Sequence, residues 1–233
     1  MAQALLGGRG GARTASPHME TNKDCGWNRP AGDLTRMASA KRTLPVRVVA
    51  GRLGGRRLRA VPGTATRPTS DRVREALFAV LGDRVEGARV LDLFAGTGAL
   101  AIEALSRGAS AAVLVEQAAP AAAVIRANLE ALELTEVASV RRTRAETYLR
   151  GGHVGPFDLV FLDPPYAQGV GLVAGVLARL AVEGRLAPGA VVVLEAAARA
   201  EPPPWPAGLE PQQPRRYGDT TLHLATFTPL SGP

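Results

Sequence analysis

The stretch FLDPPYAQG at residues 161–169 brings a carboxylate, two prolines and an aromatic ring together where an apolar run stops. Phe161 and Leu162 continue the run FDLVFL, and Asp163 places an acceptor at its carboxyl end. Pro164 and Pro165 lack backbone donors and have fixed φ, so a strand entering them must end. Tyr166 is one of three tyrosines in the chain. Such a set suits an exocyclic amine on a nucleobase, a poor nucleophile because its lone pair is delocalised into the ring. Hydrogen bonds from the amine to Asp163 and to the Pro164 carbonyl would pull the nitrogen toward tetrahedral geometry and localise that lone pair. Tyr166 would stack on the base face, a contact worth about 1–3 kcal/mol. A base taken out of its stack needs a pocket of this kind. The plainer alternative is a proline-stiffened turn with a surface tyrosine.

An electrophile would have to sit beside that amine. DLFAGTGAL, Asp92 to Leu100, follows an apolar run. Gly96 and Gly98 allow the backbone to pass close to a ligand, and the next helix presents its N-terminus. Glu116 ends the run VLVE, 18 residues after Gly98. A carboxylate there accepts hydrogen bonds from both ribose hydroxyls of a nucleoside. A methyl donor such as S-adenosylmethionine (SAM) has an adenosine and a sulfonium, and no pyrophosphate. The weaker readings are a tight strand–helix turn for the two glycines and a solvated strand end for Glu116. GTGALA also satisfies the loose G-x-G-x-x-G/A pattern, so a nicotinamide dehydrogenase competes.

The elements that must position these residues alternate. ARVLDLFAG, AAVLVEQ, VASVRR, FDLVFLDPPY and GAVVVLEAA read as strands, with GALAIEALSRG, APAAAVIRANLEAL, AETYLRG and VGLVAGVLARLA as helices between them. Strands apolar throughout imply a parallel sheet covered on both faces. Ligands in such sheets bind beyond the carboxyl ends of strands, where the strand order reverses. TTLHLATF is the last strong strand; no clear helix separates it from GAVVVLEAA, so one of these two strands is expected to be antiparallel. Upstream, TRPTSDRVREALFAVLG starts a helix, with Thr69, Ser70 and Asp71 as N-cap candidates and Gly82 as the stop. VRVVAGRLGGRRLRAV, residues 46–61, reads as a β-hairpin about Gly54-Gly55.

Composition narrows the partners. The 233 residues carry a net charge of +7, which favours nucleic acid before an anionic membrane surface. Residues 41–75 hold ten Lys/Arg against Asp71 and Glu75, a local +8 that exceeds the charge of the whole chain. One cysteine, Cys25, allows no internal disulfide and no cysteine-based metal site. His18, His153 and His223 join no cluster, so no metal is expected. No apolar run nears the roughly 20 residues of a membrane span, and MAQALLGGRGGARTASPHME has no signal-peptide core. A cytoplasmic protein without a membrane partner is expected. Residues 1–40 lack apolar periodicity and read as a disordered extension, with Met37 an alternative start. The expected organisation is this extension, a basic hairpin appendage over 41–66, and a main domain over 67–230.

Together VVAGRLGGRRL, RPTSDRVREALF, DLFAGTGALAIEALSRGA, VE, FDLVFLDPPY and YGDTTL resemble the bacterial RsmD family over about residues 46–228. DPPY is similar to the D/N/S-P-P-Y/F/W motif of SAM-dependent amino methyltransferases acting on nucleic-acid bases. The resemblance implies a Rossmann-like SAM-dependent methyltransferase fold: α/β, a mostly parallel seven-stranded sheet with helices on both faces, and a small N-terminal β-hairpin. It implies SAM as cofactor and the N2 amine of a guanine in 16S ribosomal RNA, on the small subunit or an assembly intermediate, as target. Carried over by motif, Asp92, Phe94, Gly96 and Gly98 line the SAM site and Glu116 holds the ribose. Asp163, Pro164, Pro165 and Tyr166 handle the guanine. Arg67, Thr69 and Arg74 touch RNA or close the site, while Arg52, Arg56 and Arg57 meet RNA phosphates. A solvated helix face is the alternative for Arg72 and Arg74. Arg144 stands where many relatives have an acidic or amide residue near the adenine, leaving that contact to the Ala145 backbone or to Glu146. Gln117 replaces a second acidic residue common after Glu116.

Two other readings stay open. A DNA adenine-N6 methyltransferase would need a target-recognition region, and the chain after DPPY is short and regular. The order, donor loop before DPPY, also excludes some circularly arranged DNA relatives. A non-catalytic ribosome-assembly factor would have no need of Asp163 to Tyr166. A monomer is expected, because no extra apolar face is left over.

Overall fold

Ser70 opens the first helix of the chain as described: its hydroxyl accepts the Val73 N–H at 3.3 Å, and Asp71 adds a negative charge to the first turn. The helix α1 (Asp71–Leu81) buries Val73, Leu77, Phe78 and Leu81 at helical spacing and closes at Gly82, whose φ is 52°. Each such aliphatic or aromatic side chain contributes about 1.5–3 kcal/mol through burial. The structure, a computed structural model, describes residues 46–61, 70–151, 155–165, 169–182 and 184–230. The N-terminal extension with Met37, and Arg67, Thr69 and Tyr166, lie outside the described residues.

After a 3-10 turn at Gly82–Val85, strands and helices alternate as β1 (Arg89–Asp92), α2 (Ala99–Ser106), β2 (Ala111–Val115), α3 (Ala119–Ala131), β3 (Ala138–Arg141), α4 (Ala145–Arg150), β4 (Phe157–Leu162) and α5 (Gly169–Leu180). The chain then forms β5 (Leu186–Ala197), β6 (Leu209–Pro211), β7 (Arg215–Tyr217) and β8 (Thr220–Phe227). The sheet order is β3-β2-β1-β4-β5-β8-β6, with β7 also on β8. β1 to β5 are parallel and β8 is antiparallel to β5, as the missing helix implied. The sheet has eight strands in seven positions, because the three-residue strands β6 and β7 share the outer edge of β8. The motif YGDTTL makes the β7–β8 hairpin: Tyr217 pairs with Thr220 across Gly218-Asp219, and Gly218 has the positive φ of 60° that a two-residue turn favours.

Alternate residues of the apolar strands feed two cores. Leu159 and Phe161 of β4 join Leu77, Ile102 and Ile125 from α1, α2 and α3. Val160 and Leu162 join Leu149 of α4 and Val176, Leu177 and Leu180 of α5. The two covered faces are why β4 reads as continuously apolar.

Thr43–Pro233 form one compact unit, and Val46, Val48, Leu53 and Leu58 of the basic segment enter its first core. The predicted hairpin is a single antiparallel bridge, Arg47 to Arg57, around a wide loop. Val48 N–H donates to the Arg56 carbonyl at 2.9 Å, and Gly55 N–H and Leu58 N–H donate to the Val48 and Val46 carbonyls at 2.8 Å each, while donors of the loop between these arms go to α2. Buried Glu103 of α2 accepts the Val49 and Ala50 N–H groups at 2.6 and 3.0 Å and the Arg107 Nε–H at 2.7 Å. Ser106 donates its hydroxyl to the Ala50 carbonyl at 2.6 Å and accepts the Leu53 N–H at 3.0 Å, while its carbonyl accepts the Arg52 N–H at 2.8 Å. Gly51, at φ +81°, lies so close that a Cβ there would be 2.0 Å from the Ser106 carbonyl oxygen.

Glu103→Ala orphans two backbone donors, each costing about 1–3 kcal/mol when left unpaired. Urea unfolding should show a loss of about 2–5 kcal/mol at unchanged m-value. A change below about 0.5 kcal/mol would show that the loop is held by other contacts.

Candidate functional site

The strand order reverses between β1 and β4: the chain steps outward from β1 to β2 and β3, then returns to β1's other side as β4. The crevice above these strand ends is where an open α/β sheet takes a ligand. Asp92 ends β1 opposite Leu114 of β2 and Phe161 of β4. Two residues further along each segment come Phe94, Glu116 and Asp163. With about 4.8 Å between strands, Glu116 and Asp163 face one another across the β1 loop at about 10 Å.

The loop after β1 is held from both sides. Leu93 N–H donates to the Phe161 carbonyl and Ala95 N–H to the Val115 carbonyl, each at 3.1 Å. Half-buried Phe94 packs against the second core. Gly96 and Gly98 have φ of 55° and 81°, but their surroundings differ. A Cβ on Gly98 would meet Leu114 at 3.1 Å and Ile102 at 3.3 Å, so this glycine serves helix–strand packing. A Cβ on Gly96 would meet nothing within 4 Å, so Gly96 faces open space at the crevice. Glu116 accepts the Gly96 N–H at 3.0 Å and the Ala118 N–H at 2.7 Å. These bonds orient both carboxylate oxygens and leave lone pairs for ribose hydroxyls. That arrangement disfavours a merely solvated strand end.

Asp92 is buried, and its Oδ1 has no hydrogen-bond partner. Burial pushes its pKa from 3.8 up to about 7; the Glu116 charge adds to the rise, and backbone donors at Ala101 and Phe94 oppose it. An orphaned carboxylate oxygen, an oriented acidic pair and a glycine with room above it fit a cationic nucleoside donor such as SAM. Ala145 is buried at the start of α4, beyond the end of β3. Asp163 and Pro164 are half-buried and Pro165 is exposed. His223 is buried on β8, where loss of water lowers its pKa.

The arginines are dispersed. Arg52 and Arg56 sit at helix C-termini, Arg52 through its N–H on the Ser106 carbonyl and Arg56 through a side-chain bond to the Ala131 carbonyl at 3.4 Å. Both α2 and α3 run away from the crevice, so these residues lie at the opposite edge of the sheet. Arg57 is exposed on the bridge to Arg47. Arg74, expected to touch RNA or close the site, is fully buried, which also rules out the solvated helix face as the alternative for it. Its Nη2 donates to the Arg47 carbonyl at 2.8 Å and to Asp71, and Asp71 also pairs with Arg47 at 2.9 Å. Direct RNA contact is closed to Arg74 in this state; bracing the start of α1 is what its bonds do.

Asn128 of α3 escaped the motif reading. It is buried, accepts the Arg59 N–H at 2.8 Å, and donates to the Arg59 and Thr97 carbonyls at 3.3 and 3.0 Å. It therefore ties the basic segment to the loop between Gly96 and Gly98. A polar residue between Ile125 and Leu129 on a buried helix face was its available signal.

The family profile described as "Conserved hypothetical protein 95" matches residues 46–226. The chain is 34% identical to Ribosomal RNA small subunit methyltransferase D of Escherichia coli K12, over 77% of this chain and 88% of that protein. It is 39% identical to the protein of the same name from Haemophilus influenzae, over 52% of this chain and 64% of that one. The solved structure of yhhF from Escherichia coli matches with a TM-score of 0.72 at 32% identity, covering 80% of this chain and 99% of that one. The chain belongs to the RsmD family of methyltransferases. SAM is the cofactor expected of the fold, and the crevice residues described above are those that would hold it.

Asp92 has a testable signature. Its pKa in the fold is about 7, against 3.8 for the same side chain in water. Between those values the folded state keeps a proton that the unfolded state has lost, so stability falls as pH rises from about 4 to 7 and levels off above. Asp92→Asn should remove that slope from the melting temperature of the donor-free protein. Identical pH profiles for the two proteins would show that Asp92 is not protonated in this range.

Proposed function

We propose that this protein transfers a methyl group from SAM to the N2 amine of a guanine in 16S ribosomal RNA. The observation that carries the reading is the position of Asp163 and Pro164 just after β4, the strand beside β1 where the strand order reverses. The names of the relatives support ribosomal RNA as the substrate class.

When bound, SAM supplies an electrophilic methyl group. The protein's own part is to prepare the amine. Asp163 and the Pro164 carbonyl each accept one amine hydrogen, which localises the nitrogen lone pair and directs it toward the donor side of the crevice. Tyr166 stacks on the extruded base. As the nitrogen–carbon bond formed, the methyl group's bond to sulfur would break and its electron pair would stay on sulfur as a neutral thioether; the nitrogen would gain the positive charge, and Asp163 or water would take the surplus proton. Glu116 and the Gly96 loop hold the adenosine end. Positioning and charge complementarity do most of the work in such a site.

The test is methyl transfer from labelled SAM to small ribosomal subunits taken from cells lacking their own guanine-N2 enzyme, with duplex DNA in parallel. Label should appear as N2-methylguanosine. Asp163→Ala should lower turnover by about 10²–10³-fold, the scale seen when one preorganised polar partner is lost, with SAM affinity nearly intact. Label only in DNA as N6-methyladenine would establish the DNA enzyme instead. SAM binding without transfer to any substrate would favour an assembly factor. Loss of SAM binding in the variant would contradict the role given to Asp163.

A further inference from the structure

We infer that Arg141, Arg142 and Arg144, at the carboxyl end of β3, form the surface that grips the RNA backbone beside the methyl-transfer crevice. The inference rests on the functional reading above and adds a docking surface that the basic N-terminal segment does not supply.

All three arginines are exposed. Their backbone is fixed against the donor side of the site: the Glu116 N–H donates to the Arg141 carbonyl at 3.0 Å, and the Thr143 N–H donates to the Glu116 carbonyl at 3.1 Å. Among the described residues, none of the three side chains makes an ion pair or a hydrogen bond. Some other arginines are occupied: Arg47 and Arg74 on Asp71, Arg107 on Glu103, and Arg56 on the end of α3. The neighbouring carboxylate of Glu116 is turned to Gly96 and Ala118, so it does not neutralise the cluster directly. Glu146, half-buried in the first turn of α4, is the nearest acidic residue that follows in sequence.

The donor has no use for three guanidinium groups. SAM contains no phosphate, and its sulfonium is itself positive. A guanidinium fork matches a phosphodiester in charge and geometry. β3 is three strand intervals from β4, so the cluster lies about 14 Å from Asp163 at the same edge of the sheet. Phosphates flanking an extruded base fall within such a span. Arg52 and Arg56, where composition placed the RNA footprint, lie at the opposite edge beneath α2 and α3. The two groups play different parts: the β3 arginines set the RNA strand's position at the crevice, and Arg52 and Arg56 add distant attraction.

The experiment compares the full-length protein with the triple variant Arg141→Gln, Arg142→Gln, Arg144→Gln. Binding to an unmodified 16S ribosomal RNA transcript is measured over a series of KCl concentrations, alongside S-adenosylhomocysteine affinity, melting temperature and methyl transfer. The slope of log affinity against log salt should shrink by about 2, from about 0.7 for each lost single-strand phosphate contact. The KM for RNA should rise at least tenfold, while S-adenosylhomocysteine affinity stays within twofold in the double variant Arg141→Gln, Arg142→Gln, which leaves the position before Ala145 unaltered. Should the triple variant not fold, Arg142→Glu should lower RNA affinity by more than Arg142→Gln does. An unchanged slope in variants of an enzyme that still methylates RNA would overturn the docking surface alone. Loss of S-adenosylhomocysteine binding at unchanged slope would assign the arginines to the donor pocket and overturn it equally. Failure of the unaltered protein to bind or methylate RNA would overturn the functional reading and this inference together.

Discussion

Everything at the site depends on β1 and β4 lying side by side and parallel at the reversal of strand order. Parallel neighbours end at the same edge, and the reversal leaves no crossover covering the crevice between them. The donor loop and the Asp163 turn therefore meet although they are some 70 residues apart in sequence. Hydrogen bonds from Leu93 to Phe161 and from Ala95 to Val115 then lock the loop to the strands on both sides. A slip of one residue between β1 and β4 would turn Phe161 out of one core and Leu162 out of the other, so burial on both faces enforces the register.

A second constraint is the requirement that buried polar groups be paired. Val49, Ala50, Arg52 and Leu53 cannot complete a strand ladder, and α2 answers with Glu103 and Ser106. Asn128 does the same for Arg59 while also holding Thr97. These bonds turn a basic segment that reads as an appendage into a structural neighbour of the donor loop. Arg107 joins the arrangement twice, pairing with Glu103 and resting over the Phe78 ring at 4.9 Å. Phe78 in turn meets Phe161, two residues before Asp163, with ring centres 5.9 Å apart. Packing thus runs without a gap from the N-terminal segment to the end of β4.

Three acidic residues at one sheet edge are given different work by their surroundings. Asp92 is dry, and burial makes its charge costly. Glu116 is half-buried and shaped by two loop N–H groups. Asp163 is half-buried beside prolines that cannot donate to it. The arginines beyond β3 add positive charge at the same edge, so the rim attracts a polyanion while the crevice itself remains suited to a cation.

By itself the sequence determined the alternation of strands and helices, the opposed directions of β5 and β8, the N-cap at Ser70, and the strand end that carries Asp163. Each of these is written in local pattern: periodicity, a capping hydroxyl, or prolines that stop a strand. The family and its methyltransferase chemistry were legible for the same reason, because the motifs are short and contiguous. Tertiary structure alone decided the rest. Gly96 and Gly98 look alike in sequence, yet one faces open space and the other packs against Leu114 and Ile102. Arg74 resembles the surface arginines around it, yet it is fully buried on Asp71 and the Arg47 carbonyl. Arg52 and Arg141 carry the same charge, yet they stand at opposite edges of the sheet. Residue type sets what a side chain can do; the direction of the helices and the order of the strands set what it can reach, and neither is encoded in any short run of residues.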